Sequence, residues 1–238
     1  MKCLNNPGFT VIEIILFLGI SGLLVFGILA GTGTSINIQR YRDSVSSFQS
    51  VLQKQFSEVT NTINNRDSSL TCGGATSATP RGQSDCVILG RLVTSSDGTT
   101  LTIRSVIGNI PLTTETDDIK LLQAYNMRFS PIQPETYTIE WGASAVKPGN
   151  NNIMAFSVLI VSLPSNGVIR TFIDDTQAIN NNDIANIISG NPPVALSRSA
   201  KICINSNGLY TGTRMAIMIN KYASNSSSIE TLGENSGC

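Results

Sequence analysis

The sequence predicts an α+β protein: a long N-terminal helix, membrane-spanning in its first half and amphipathic in its second, packed on an antiparallel β-sheet head. Three observations predict it. Between Glu13 and Arg40 no residue is charged, and at about 1.5 Å per residue a helix of that length covers the roughly 30 Å of a hydrocarbon core. Tyr41, Val45, Phe48, Leu52, Phe56, Val59 and Ile63 then recur at steps of three and four, which is one apolar stripe along a helix. From Cys86 onward, short apolar runs alternate with Ser-Asp-Gly and Asn-Gly turns, the rhythm of antiparallel strands.

Composition narrows the function before any motif is read. The 238 residues carry 16 Lys and Arg against 16 Asp and Glu, and charged residues make up only 13%, about half the usual share of roughly 25%. Overall basicity therefore cannot drive nucleic-acid binding. The chain contains no histidine, which removes Ser-His-Asp and Cys-His catalysis, His-ligated zinc and the common neutral-pH general base. It has no P-loop and no Cys-x-x-Cys pair. The expectation is a protein that is not an enzyme and needs no cofactor.

The N-terminal stretch is apolar on all sides, so a soluble fold would struggle to cover it. Glu13 at its front needs a physical reason, because an unpaired carboxylate in a membrane helix costs roughly 3 kcal/mol. The helix dipole returns under about 1 kcal/mol at an exposed helix start. A positive partner, such as an amino group on a neighbouring subunit, would resolve the cost. Met1-Lys2-Cys3-Leu4-Asn5-Asn6-Pro7-Gly8 followed by Phe9-Thr10-Val11-Ile12-Glu13 resembles the leader and cleavage site of type IV pilins and type II secretion pseudopilins. Val11 stands where that family has leucine, Lys2 is the single basic residue of the leader, and the proline common later in the family's helix is absent. Gly31 and Gly33 are the local weak points instead. The resemblance implies that a prepilin peptidase cuts between Gly8 and Phe9 and that the Phe9 amine is then methylated. It also implies that Glu13 neutralises the Phe9 amine of an adjacent subunit during filament assembly.

The elements follow in order. Residues 1–8 are the leader, 9–35 the membrane and filament-core helix, 36–66 the amphipathic helix of the head, and 67–238 a β-rich disulfide-bonded head. The helix runs to the Asn64-Asn65-Arg66-Asp67 stop. Residues 69–85, rich in Gly, Ser and Thr, read as a loop. Strands are expected at 86–94 and 100–107 around Ser96-Asp97-Gly98, at 137–146, at 153–163, at 168–173 after Asn166-Gly167, at 201–205, at 214–222 and at 228–232. Short helices are expected at 117–125 and 176–188.

Cys3 leaves with the leader, and four cysteines remain: Cys72, Cys86, Cys203 and Cys238. An even count in an exported head points to disulfides, with three pairings open. Pairing Cys72 with Cys86 would close the Gly/Ser-rich loop. Pairing Cys203 with Cys238 would pin the C-terminal segment, as the resemblance to pilins implies. Other chemistry is sparse. Asp117-Asp118 and Asp174-Asp175 read as cap and turn acids, with a calcium site as the sharper alternative. Tyr137 and Trp141 fall on one strand face and read as packing. Arg198, Lys201, Arg214 and Lys221 read as a solvated face, with a DNA-contacting patch as the alternative.

The reading is therefore a structural subunit, a minor pilin or pseudopilin, of a type IV pilus-like or type II secretion-like filament. Its partners would be the prepilin peptidase and methyltransferase, other pilin subunits, the inner-membrane assembly machinery, and membrane lipid before assembly. The subunit would sit in the cytoplasmic membrane and later in an extracytoplasmic filament. One rival is a monomeric membrane-anchored adhesin or binding protein. Another is a secreted hydrolase cut at the small-residue site Gly31-Thr32-Gly33, which the missing histidine and the missing Gly-x-Ser-x-Gly motif oppose.

Overall fold

The computed structural model describes residues 10–61, 86–163, 166–179, 184–189, 199–208, 210–233 and 236–238. The protein is α+β, with one long N-terminal helix, α1 (Val11–Thr60), and, among the described residues, two antiparallel sheets. It divides into two compact units, Met1–Arg40 and Tyr41–Cys238. In the first unit no described residue is buried, and Val11, Ile12, Leu23 and Phe26 are 73–75% exposed.

In the second unit, Tyr41, Val45, Phe48, Leu52, Phe56 and Val59 of α1 are buried in one cluster with residues of both sheets. The larger sheet contains β1 (Cys86–Ser95), β2 (Thr100–Asn109), β3 (Arg128–Phe129), β6 (Phe156–Ser162) and β7 (Ile169–Asp174), in the order β3-β2-β1-β6-β7. Strand β4 (Glu135–Thr138) also pairs with β2. The smaller sheet contains β5 (Ser144–Val146), β8 (Ala200–Asn205), β9 (Ala216–Ile219) and β10 (Ile229–Leu232), in the order β10-β9-β8-β5.

Strand β6 explains the layering. Its Val158-Leu159-Ile160-Val161 run does not alternate with polar residues, which is the pattern of a strand covered on both faces. Val158 and Ile160 join the cluster shared with α1, whereas Leu159 and Val161 join a second one. That second core is filled by Leu122 of α2 (Asp118–Ala124), by Ile184, Ile187 and Ile188 of α3 (Ile184–Ser189), and by Ile179.

Several expectations change. The strand expected at 137–146 breaks into β4, a 3-10 turn at Glu140–Gly142, and β5, and its two ends belong to different sheets. The cause is local. Trp141 and Gly142 both have positive φ, 56° and 70°, which reverses the chain. Tyr137 and Trp141 thus share no strand face, and Trp141 is 50% exposed. The expected single sheet is two sheets. The helix expected at 176–188 is helical only over Ile184–Ser189 among the described residues. Before it, the chain is sewn to β6: Ser157 Oγ donates to Gln177 O at 2.9 Å and accepts from Ile179 N–H at 2.8 Å. Strand β6 starts at Phe156 rather than at 153, because Ile153 makes only an isolated bridge to Val146. Strand β9 is shorter than the expected 214–222, and the two-residue β3 had no sequence signal. The leader, the Asn64–Asp67 helix stop, Cys72 and the rest of the 69–85 loop lie outside the described residues.

The hairpin turn at Ser96-Asp97-Gly98 is built as the sequence suggested. Asp97 Oδ1 accepts the N–H groups of Thr99 and Thr100 at 2.9 and 2.8 Å. Gly98 has φ +67°, and a Cβ there would press on the Ala145 carbonyl. Its own carbonyl accepts from Ala145 N–H at 2.6 Å, tying the β1–β2 hairpin to β5 of the other sheet.

Candidate functional site

The residues singled out at the N-terminus begin at Thr10, since Gly8 and Phe9 lie outside the described residues. Thr10 and Glu13 form a reciprocal pair at the start of α1. Glu13 Oε2 accepts the Thr10 N–H at 2.8 Å and the Thr10 hydroxyl at 2.9 Å, and the Glu13 N–H donates to Thr10 Oγ1 at 3.3 Å. This is a capping box, which satisfies N–H groups that a helix start cannot bond internally. Sequence reasoning explained Glu13 by an external charge and missed this partner. The signal was present as Thr-x-x-Glu before an apolar run.

α1 is long and apolar enough to cross a membrane, and its most apolar stretch has no buried residue. The polar side chains toward its end are turned back on the helix. Thr32 donates to Leu29 O, Thr34 to Ala30 O and Gly31 O, and Ser35 to Gly31 O. Hydroxyls bonded this way present little unsatisfied polarity to an apolar medium.

In the second unit, polar side chains fix α1, Ser47 among them by accepting from the Tyr137 hydroxyl at 2.9 Å. Tyr41 is 1% exposed. Its hydroxyl donates to Ile204 O at 2.7 Å and accepts from Met215 N–H at 2.7 Å. Burial pushes the phenol pKa up, and the bond from Met215 N–H opposes that rise. Gln49 and Gln53 donate to Ile229 O at 2.9 and 3.2 Å, so the outer strand β10 is closed by helix side chains. Arg91 of β1, 7% exposed, pairs with Glu58 of α1 and with Glu135 of β4 at 3.1 Å, while Lys54 reaches Glu58 at 3.1 Å. Buried guanidinium and carboxylate offset each other's desolvation in this alternating set.

Cys203 and Cys238 are joined, 35 residues apart with Cα atoms 5.8 Å apart. Cys86 is also disulfide-bonded, and Cys72 lies outside the described residues. Lys201 Nζ adds a bond to Ser236 O at 2.8 Å, and Ser236 donates to Arg214 O at 2.6 Å. Lys201 and Arg214 are thus engaged locally: Arg214 bonds Asn150 O and Asn151 Oδ1. Lys221 lies over the Tyr222 ring at 4.8 Å, and Arg198 lies outside the described residues.

Asp117, Asp118 and Asp174 each act within the fold. Asp117 caps α2 by accepting from Ile119 and Lys120 N–H, and the Lys120 bond holds its pKa low. Asp118 pairs with Arg170 at 3.3 Å. Asp174 accepts from Thr176 and Gln177, and although burial pushes its pKa up, those bonds leave it lowered overall. Among the described residues, no three His, Cys, Asp or Glu side chains gather where a metal ion could be held. No protein-family model, curated protein or solved structure matches the chain.

Proposed function

We propose that the chain is a structural subunit, a minor pilin or pseudopilin, of a type IV pilus-like or type II secretion-like filament. One observation carries the reading. Gly8-Phe9-Thr10-Val11-Ile12-Glu13 leads into a helix whose apolar side chains as far as Arg40 are unburied, with Glu13 as the only charge between Phe9 and Arg40. A lone anchor gains nothing from that carboxylate beyond its cap, whereas a subunit presenting a new α-amine at Phe9 gives the next subunit's Glu13 a charge partner. On this reading, residues 9–35 sit in the membrane and then in the filament core. The Tyr41–Val59 face is the spine of the β-rich head, and the head lies outside the cytoplasm, where disulfides persist. The partners are a prepilin peptidase and methyltransferase, other subunits, the inner-membrane assembly machinery, and lipid before assembly. The role is mechanical rather than catalytic.

The test is the mature N-terminus. Mass spectrometry of protein from membranes and sheared surface fractions should find Phe9 first, carrying one methyl group. Retained Met1, or a cut at Gly33, defeats the reading. The Thr10–Glu13 capping box favours the rival, a monomeric membrane-anchored binding protein, because it gives Glu13 a partner within one chain. Glu13→Gln separates the two. Glutamine keeps a Thr-x-x-Gln capping box but removes the charge, so a monomeric anchor is indifferent to it and a filament subunit is not.

A further inference from the structure

We infer that Trp141 is an interfacial anchor, whose indole seats one end of the head in the lipid headgroup layer while α1 spans the bilayer. The inference goes beyond the filament reading. It rests only on α1 crossing a membrane, so it applies to a filament subunit before assembly and to a lone anchor alike.

Trp141 is the only tryptophan of the chain, and it stands 50% exposed. Its φ of 56° and ψ of 25° are values that a bulky side chain rarely adopts. Such a conformation persists only where the surroundings impose it. Here they do. Asn207 Nδ2 donates to Gly142 O at 2.6 Å and to Ser144 Oγ at 3.3 Å. Ala143 N–H donates to Glu140 O at 3.2 Å, and Ser47 of α1 donates to Glu140 Oε1 at 3.1 Å. The turn is thus held from α1, from within and from the Asn207 side, with half of the indole residue left in solvent.

The same contacts place the turn at the end of the head that holds Tyr41. Next to Asn207, Ser206 Oγ donates to Tyr210 O at 2.7 Å and accepts from Tyr210 N–H at 3.1 Å. The Tyr210 ring stacks on Tyr41 at 5.3 Å. Tyr41 in turn follows Ile38, the last aliphatic residue before Arg40, by three residues, or about 4.5 Å of helix. The headgroup layer beyond the hydrocarbon is about 5–8 Å deep on each side. With Ile38 at the hydrocarbon boundary, Tyr41 falls inside that layer, and the Trp141 turn shares its end of the head. Tryptophan is the side chain favoured at this depth, because an apolar ring and an N–H donor are both satisfied there. Arg42, exposed at the same end, offers a guanidinium to lipid phosphate.

The experiment uses the full chain and its own single tryptophan. The protein is reconstituted in phosphatidylcholine vesicles that carry a nitroxide either on the headgroup or near the end of the acyl chain, and Trp141 fluorescence is read. The headgroup nitroxide should quench it more strongly than the chain-end nitroxide. The double variant Trp141→Phe/Tyr222→Trp moves the reporter to the far end of β9, where Tyr222 is 55% exposed at a φ of 58°. That reporter should lose emission to aqueous iodide and to neither lipid. Absence of quenching of Trp141 by both lipids overturns the anchor. Stronger quenching from the chain end overturns the interfacial depth. Equal quenching of the two reporters overturns it as well, since the head then lies on the bilayer without a preferred end. A chain that carbonate extracts from the vesicles removes the premise and the inference with it. Retained Met1 in the mature protein defeats the filament reading and leaves this inference standing.

Discussion

Tyr41→Phe removes one oxygen atom and tests how α1 is joined to the smaller sheet. Ile204 N–H donates to Met215 O at 3.0 Å, as in an ordinary antiparallel pair. The return bond is absent. Instead, Met215 N–H donates to Tyr41 Oη and Tyr41 Oη donates to Ile204 O, each at 2.7 Å. The phenol therefore replaces one rung of the β8–β9 ladder. Phenylalanine preserves the ring, its stacking on Tyr210 at 5.3 Å and its apolar burial, but leaves a buried carbonyl and a partly buried N–H unpaired. Each such group costs about 1–3 kcal/mol. Met215 is only half-buried, so water compensates part of its share, and the expected loss is about 2–3 kcal/mol. In a fragment of residues 37–238 this lowers the denaturant midpoint without changing the m-value, and lowers Tm by about 2–4 °C per kcal/mol. Hydrogen exchange of the Met215 amide should accelerate at the same time. A loss under about 0.5 kcal/mol with unchanged Met215 exchange would show that the ladder closes on itself, and would refute the bridging role.

Three further outcomes are expected. The 37–238 fragment should be a soluble, folded monomer by size exclusion, whereas a fragment of residues 57–238, which lacks Tyr41, Val45, Phe48, Leu52 and Phe56, should aggregate or melt without cooperativity; equal behaviour of the two would remove these side chains from the core. Cys238→Ala should cost the 37–238 fragment about 4 kcal/mol, the chain-entropy value for a 35-residue closure, and a loss below about 1 kcal/mol in denaturant would reject that estimate. Asp97, Asp117 and Asp174 all have lowered pKa values in the folded protein, so their stabilisation is present above the ordinary carboxylate range and disappears as pH falls through the lowered values. The melting temperature should therefore hold from neutrality to about pH 5 and decline below about pH 4, and Asp97→Asn should shrink that decline; a rise in stability on acidification contradicts the sign.

The fold was legible where one chemical signal acted over short distances. The steps of three and four from Tyr41 to Val59 named the apolar side chains of α1 that are buried, though not Ser44 and Gln55 between them. Ser96-Asp97-Gly98 specified its hairpin through an aspartate acceptor and a glycine φ. Legibility failed where the outcome depended on contacts distant in sequence. Ile179, Ile184, Ile187 and Ile188 carry a helix-like spacing, but Ser157 captures the backbone around Gln177 and Ile179 before a helix can start there. Trp141 at positive φ is not what residue preference suggests, and only the following Gly142 hinted at a reversal. The Arg91 partners, Glu58 and Glu135, lie on other elements, so no local pattern announces them. At the N-terminus the position of Glu13 was plain, whereas its capping role was readable in Thr10 and was obscured by the search for an external charge.

Strand β6 has a consequence for how the head reaches its native state. Because Val158 and Ile160 serve one core while Leu159 and Val161 serve the other, β6 has no face that tolerates water. A chain in which only α1 has docked, or only the α2–α3 layer, exposes half of Phe156-Ser157-Val158-Leu159-Ile160-Val161-Ser162. This is a short, uncharged, β-branched stretch of the kind that pairs with copies of itself. Ser157 and Ser162 interrupt its apolar run, and neither carries the charge that usually guards such segments. The interval between synthesis and closure of both layers is therefore the period of greatest aggregation hazard for this protein. Substitutions that slow either layer should reduce yield more than they reduce the stability of the finished head.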